Sequence, residues 1–512
     1  MLQYIVAFSF FALFMVLIKN GLIVDGTGVP PYRADVLIKR DRISAIGSFS
    51  TKSAHTVIDA MGAYVAPGFI DINNDSDHYG TIFSDSSQSS FLKQGVTTIV
   101  GGMCGGSLAP LIDGSLISMR KWMSSQIVNV NWHTVGEFFD VLQVNGIGVN
   151  FATLVGHSTV RRAITRGEQR DLTREEIDSF KNILSRAMSQ GAFGFSTGLG
   201  YSHAKMTPYG ELKELVAVTA KNNGLYTTHL RSETNELEES VKETIQITRD
   251  TGARTLISHF RPILGFEQEY EAGISLIEGA GATLPIYFDL YPFPFSLYPI
   301  YRLLPLSAQT GKLEDMLTAI SSPHIKDELV ENFPYLDGGS LIVAYAPSAP
   351  YLVHKKLGEI AKNHGVSCAE ALVFLMKETK MKAVVLYRDI NIDFAIHRLR
   401  HSQSIIVSNS PSVTDHGFLE HDRLSRTFPY FLEIVANMKL VPIEDAIKKI
   451  TYTPASLLGI DNRGVLKPTY FADIAVFKDS EIRHVLVNGR VEVSKGDLVG
   501  SGRSGMVLRK TK

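Results

Sequence analysis

Between residues 67 and 463, short apolar runs alternate with longer amphipathic stretches. This rhythm restricts the fold more than any other feature of the chain. The runs are Phe69–Ile72, Thr98–Val100, Phe151–Val155, Ala192–Phe195, Leu225–Thr228, Thr255–Ser258, Thr283–Phe288 and Ser404–Val407. A ninth, Ala383–Tyr387, has no place fixed by pattern alone. The stretches between them, such as REEIDSFKNILSRAMSQG, space apolar residues near 3.6 and close on Gly, as helices do. Strand–helix alternation requires parallel strands joined by right-handed crossovers. Eight units predict an α/β fold of the TIM-like (β/α)8 barrel type, with its site at the C-terminal strand ends. The stretch from about 290 to 380 exceeds one crossover and predicts an inserted helical lid at about 295–380.

The two ends of the chain read differently. Residues 15–66 and 464–512 are β-rich, with runs such as ADVLIKRDRISAIG, FADIAVFKD and IRHVLVNGRVEV. Together they predict one small β domain built from both termini, flanking a barrel over 67–463. Asn20-Gly21 and Asn488-Gly489 each read as a two-residue hairpin turn. Residues 1–18 carry no charge and sit at the lower length limit of a membrane span. The first basic residue, Lys19, follows that run, and no small-residue cleavage site is seen. If Val16–Gly26 is folded as strand, only residues 1–14 remain as an apolar extension, and Met15 reads as the start. The expectation is then a cytoplasmic protein without membrane contact; the alternative is export or anchoring through residues 1–18. The charge sum, 51 − 52 = −1, gives no electrostatic basis for nucleic-acid binding. Cys104 and Cys368 are the only cysteines, which excludes a disulfide framework.

Polar chemistry collects just after the apolar runs. Asn73, Asn74, Asp75 and Asp77 follow the first, Cys104 the second and His157 the third. His229 and Arg231, His259 and Arg261, Asp289 and Tyr291, and Ser408 and Asn409 follow later ones. His229 and His259 are one βα unit apart, so they fall on adjacent strand ends. With Cys104 they form a thiolate–imidazole set suited to zinc, leaving a fourth position for water. Zinc there lowers the pKa of water toward about 7.

Several motifs resemble the amidohydrolase superfamily, and within it the N-acyl-D-amino-acid deacylases (D-aminoacylases). They are Ala66-Pro67-Gly68-Phe69-Ile70-Asp71, Gly95-Val96-Thr97-Thr98, Cys104-Gly105, Gly156-His157, Gly194–Leu199, His229-Leu230-Arg231 and Ser258-His259. Thr453-Pro454-Ala455, Arg463-Gly464, Ala472-Asp473-Ile474 and Val487-Asn488-Gly489 continue the likeness to the end. The resemblance implies a zinc-dependent barrel with a small β-sandwich, acting on a small-molecule amide. Its preference for D-amino acids rests on the resemblance alone.

The chain departs from the family pattern at three positions. The family's first strand ends in Asp-x-His-x-His; here Asp71-Ile72-Asn73-Asn74-Asp75 stands there. Its last strand ends in Ser-Asp-Gly, whose aspartate is metal ligand and general base; here the match is Ser408-Asn409-Ser410. In the family those positions serve chiefly the second metal site. The losses therefore fall on one site and predict a single zinc per chain, held by Cys104, His229 and His259. Asn409 has no useful pKa, so the base must come from elsewhere. Asp415 and Asp75 are the candidates, and His157 is a candidate for oxyanion stabilisation. By resemblance, Arg261, Tyr291 and Arg423 hold the substrate carboxylate. Opening of a cyclic amide or imide, and a catalytically impaired metal- or ligand-binding homologue, are the alternatives.

Overall fold

The computed structural model describes residues 15–112, 130–309, 312–332, 337–413 and 417–511. The chain opens with β1 (Met15–Ile23), β2 (Tyr32–Lys39), β3 (Arg42–Gly47), β4 (Thr56–Asp59) and β5 (Tyr64–Pro67). Asn20-Gly21 is not a hairpin turn. β1 runs through it, pairing with β2 on both sides, and the register shifts between Ile18 and Gly21. Asn20 takes φ 56° and donates its backbone N–H to Asp35 Oδ1 at 2.9 Å, so the pair forms a bulge. A Cβ on Gly21 would lie 2.6 Å from Val65, which explains the glycine.

The central strands are β6 (Phe69–Asp71), β7 (Val96–Gly101), β8 (Asn150–Thr153), β9 (Val155–Gly156), β10 (Gly194–Gly198), β11 (Leu225–His229), β12 (Arg254–Ile257) and β13 (Ile286–Leu290). They form parallel arcs in chain order, β6-β7-β8 and β9 through β13. Residues 150–156 supply the edge of both arcs. Amphipathic helices intervene. Arg174–Ser189 starts at a Thr173–Glu176 capping box and turns Phe180, Leu184, Ala187 and Met188 inward.

β14 (Phe295–Pro299), β15 (Leu341–Tyr345) and β16 (Val384–Arg388) make a separate antiparallel sheet with β16 in the middle. The inserted segment is therefore mixed, not helical. Its β-branched and aromatic runs LIVAY and VVLYR pair with one another. The ninth apolar run is its central strand. Four helices between 313 and 378 pack on it around Met316, Leu341, Leu372 and Val385.

β17 (Ser404–Ile406) then joins β13 in parallel. Beyond it, Asn409 N–H donates to Asn73 O at 2.9 Å, and Ser408 N–H points to the Asp71 carboxylate at 3.2 Å. The last segment thus meets the first. β18 (Ile474–Lys478), β19 (Glu481–Val487), β20 (Arg490–Ser494) and β21 (Asp497–Leu498) return to the opening sheet, where β18 pairs with β5. Asn488-Gly489 does make the tight β19–β20 turn, with both φ positive. Among the described residues, no helix is long and apolar enough to cross a membrane. Residues 1–14 lie outside the described residues.

A buried polar knot joins the terminal sheet to the parallel arcs. Asp473 pairs with Arg463 and accepts from Asn150 at 3.0 Å and from the Asn488 N–H at 2.8 Å. Asn488 in turn donates to Asn150 Oδ1 at 2.8 Å. Asp473→Ala strands a buried guanidinium and should destabilise the fold by about 3–5 kcal/mol in denaturant titrations. A change below about 1 kcal/mol would show the knot to be dispensable.

Candidate active site

Cys104 follows β7 by three residues, His229 ends β11, and His259 follows β12 by two. Their ligand atoms lie within 4.8 Å of one another, and all three side chains are buried. Cys104 Sγ is 3.4 Å from His259 Nε2, and the two imidazole rings cross at 80° with centroids 4.4 Å apart. Among the described residues, neither nitrogen of His229 has a hydrogen-bond partner. Burial holds its pKa well below the usual imidazole value, so its lone pair is free. Burial also raises the Cys104 thiol well above its ordinary range, and Asp75, Asp289 and Glu233 add to that. Two buried imidazoles and a thiol without protein partners enough fit a borderline-soft divalent cation such as zinc. Cys104 and His259 take φ of 50° and 38°, a costly backbone region for such residues.

Glu233 is a site residue that sequence reasoning missed. Its Oε1 lies 3.0 Å from His259 Nδ1, and its Oε2 lies 3.1 Å from the Arg261 guanidinium. Oε2 is also 3.6 Å from His229 Nε2. Burial opposes its charge, but Arg261 and the histidines override that and hold it well below the usual carboxylate range. Fixing Nδ1 leaves Nε2 of His259 turned to Cys104, the arrangement that orients a metal-binding imidazole. The available signal was a carboxylate four residues beyond a strand-end histidine. Asp289 acts on the same residue, accepting the His259 N–H at 2.7 Å. Burial raises Asp289 to about 7, and Asn73 Nδ2 lies within 3.2 Å of both its oxygens.

The expected carboxylate-binding residues come together, with unequal freedom. Arg261 donates to the Tyr291 hydroxyl at 3.1 Å and the Tyr298 hydroxyl at 2.9 Å, while its Nε has no partner among the described residues. Arg423 stacks on the Tyr291 ring at 3.9 Å. Four of its five N–H groups are spent on the carbonyls of Phe295, Ser408 and Asn409 and on Asn409 Oδ1. Expected as part of the carboxylate clamp, Arg423 also supports Tyr291 and the last strand end. Tyr298 and Ser296, from the inserted sheet, bond Asp389; pattern reading gave no reason to place them here.

No family model matches the chain. The D-aminoacylase of Alcaligenes xylosoxydans xylosoxydans is 30% identical over 483 residues, 92% of this chain and 89% of that protein. The chain belongs to the D-aminoacylase family. Among solved structures, N-acyl-D-glutamate deacylase from Bordetella bronchiseptica, complexed with zinc and a phosphonate mimic of the tetrahedral intermediate, superimposes with TM-score 0.81 at 28% identity. The match covers 97% of this chain and 100% of that one. A second is a D-aminoacylase whose binuclear metal centre shows one-metal activation and second-metal attenuation. It matches with TM-score 0.79 at 26% identity over 97% of this chain and 99% of that one.

In this D-aminoacylase-family chain, His157, the candidate for oxyanion stabilisation, is fully buried. Its ring stacks on Phe180, meets Phe195 edge-on and bonds Glu211 at 2.8 Å, which also binds Arg161. It belongs to the layer between strands and helices. Asn74 is structural, donating to Val100 O and accepting from Ser76 N–H. Asp415 lies outside the described residues. Glu233→Gln should weaken zinc binding about 10–100-fold in competition titrations; an unchanged affinity would remove Glu233 from the support of His259.

Proposed function

We propose that this chain deacylates N-acyl-D-amino acids, hydrolysing their linear amide to a carboxylate and a free amino acid. One zinc per chain is held by Cys104, His229 and His259. The observation that carries the reading is this buried trio at adjoining strand ends, in which neither His229 nitrogen makes a hydrogen bond to a described residue. Support for a single metal comes from the second family position, where Asn73 is bound to Asp289 and Asn409 to Arg423. The parallel segments are read as a closed (β/α)8 barrel over 67–463, with the β-sandwich from 15–66 and 464–512. The β9–β13 and β17 order and the Asn409–Asn73 contact support this. A cytoplasmic location fits a site that needs Cys104 as a free thiol.

When bound, zinc supplies Lewis acidity toward the amide carbonyl and toward water. The chain's own residues bind, orient and move protons. Arg261, through its unpartnered Nε, and the Tyr291 hydroxyl hold the substrate carboxylate. Glu233 keeps Arg261 and His259 in fixed relation, so the bound carboxylate and the reacting amide keep a fixed separation. A carboxylate takes the proton from water and returns it to the leaving nitrogen. The neutral Asn409 at the family's base position favours a second reading, a ligand-binding homologue without turnover.

Zinc-loaded protein should hydrolyse N-acyl-D-amino acids and lose that activity on chelation. Absence of hydrolysis across a panel of D- and L-substrates would favour the second reading. Arg261→Ala should raise KM for these substrates about 10–100-fold, from about 1.5–3 kcal/mol of a charge-assisted bond, and affect neutral N-acyl amines far less. Equal loss on both would make Arg261 structural.

A further inference from the structure

The loop after β6 carries a buried ion pair that the family pattern does not contain. His78 Nδ1 lies 3.2 Å from Asp75 Oδ1, and His78 Nε2 lies 3.3 Å from Gly106 O, two residues past Cys104. On the other side, Asp75 N–H donates to Ser410 O at 3.2 Å, beside Asn409. Asp75 is thus strung between the loop of a metal ligand and the strand end that has lost the family's aspartate. Its side chain is 11% exposed against 3% for His78. Oδ1 is engaged, and Oδ2 accepts no hydrogen bond from a described residue.

One electrostatic fact agrees with this geometry. Burial lowers the His78 imidazole, but Asp77 and Asp75 outweigh that and hold it at about 9. His78 is therefore a cation at neutral pH, fixed by carboxylates on one side and a carbonyl on the other.

Resting on the deacylase reading, we propose that Asp75 is the catalytic base of this chain and His78 its positioning residue. Asp75 Oδ2 takes a proton from water as the water oxygen bonds to the amide carbon. It then gives that proton to the nitrogen as the C–N bond breaks. One amide and one water yield one carboxylic acid and one amine, and Asp75 returns to its starting state. The base has moved from the last strand end to the first.

The test compares wild type, Asp75→Asn, Asp75→Glu, His78→Gln and Asp415→Asn as zinc-loaded full-length proteins. Asp75→Asn should lower kcat about 10²–10⁴-fold with zinc content unchanged, and Asp75→Glu should recover part of it. His78→Gln should lower kcat about tenfold or more with KM unchanged. In metal-free protein, ¹⁵N NMR should find the His78 pKa lower in Asp75→Asn than in wild type. An active wild type whose Asp75→Asn keeps its kcat, while Asp415→Asn loses it, overturns this assignment and leaves the deacylase reading intact. A wild type with no amide hydrolysis overturns both.

Discussion

The architecture of the site depends on removing two imidazoles and a thiol from water without giving them protein partners enough. An unsatisfied buried nitrogen costs about 1–3 kcal/mol. Both nitrogens of His229 are in that state, and Cys104 and His259 add unfavourable backbone conformations. Such costs persist only where surrounding structure over-determines them. Here the surroundings are identifiable: Asp289 holds the His259 backbone, Glu233 holds its ring, and Ser196 bonds the Gly105 N–H beside Cys104. A cation bound by the trio would satisfy the orphaned lone pair.

The carboxylates around the trio divide by partner. Glu233 is surrounded by Arg261 and the histidines and stays ionised. Asp289 and Asp71 lie deeper, bonded by neutral N–H donors, and burial raises them to about 7 and 8. The Asp75 side chain is slightly exposed, and its Oδ2 accepts from no described residue. Asn73 and Asp75, at positions where the family pattern has histidines, both have protein partners here. Asn73 is the donor that fixes Asp289, and Asp75 is the partner of His78.

Much of this was legible in the sequence because it follows from local rules. Apolar runs of strand length, separated by 3.6-periodic segments, fixed the order of parallel strands, and the residue after each run fixed the polar rim. Cys104, His229 and His259 were found that way. What was not legible depends on long-range packing. Asn20-Gly21 has the chemistry of a turn, but pairing with β2 on both sides makes it a bulge. Among the described residues the insert's strands pair with one another, a long-range pairing that gives the ninth run a place no local pattern could. His157 sits at a rim position by number, yet its ring is tied to Glu211, and Arg423 reaches Tyr291 while spending most of its N–H groups on carbonyls and on Asn409. Glu233 was hidden because a glutamate beyond a strand end reads as an ordinary solvated charge.

The central claim is one metal, held by three named residues, with the second family position given over to amide hydrogen bonds. Crystals grown with excess zinc and measured at the zinc absorption edge test it most directly. The account predicts one anomalous peak per chain, about 2.3 Å from Cys104 Sγ and about 2.0–2.1 Å from a nitrogen of His229 and of His259. A second strong peak beside Asn73 and Asp75, or a single peak away from Cys104, would contradict it.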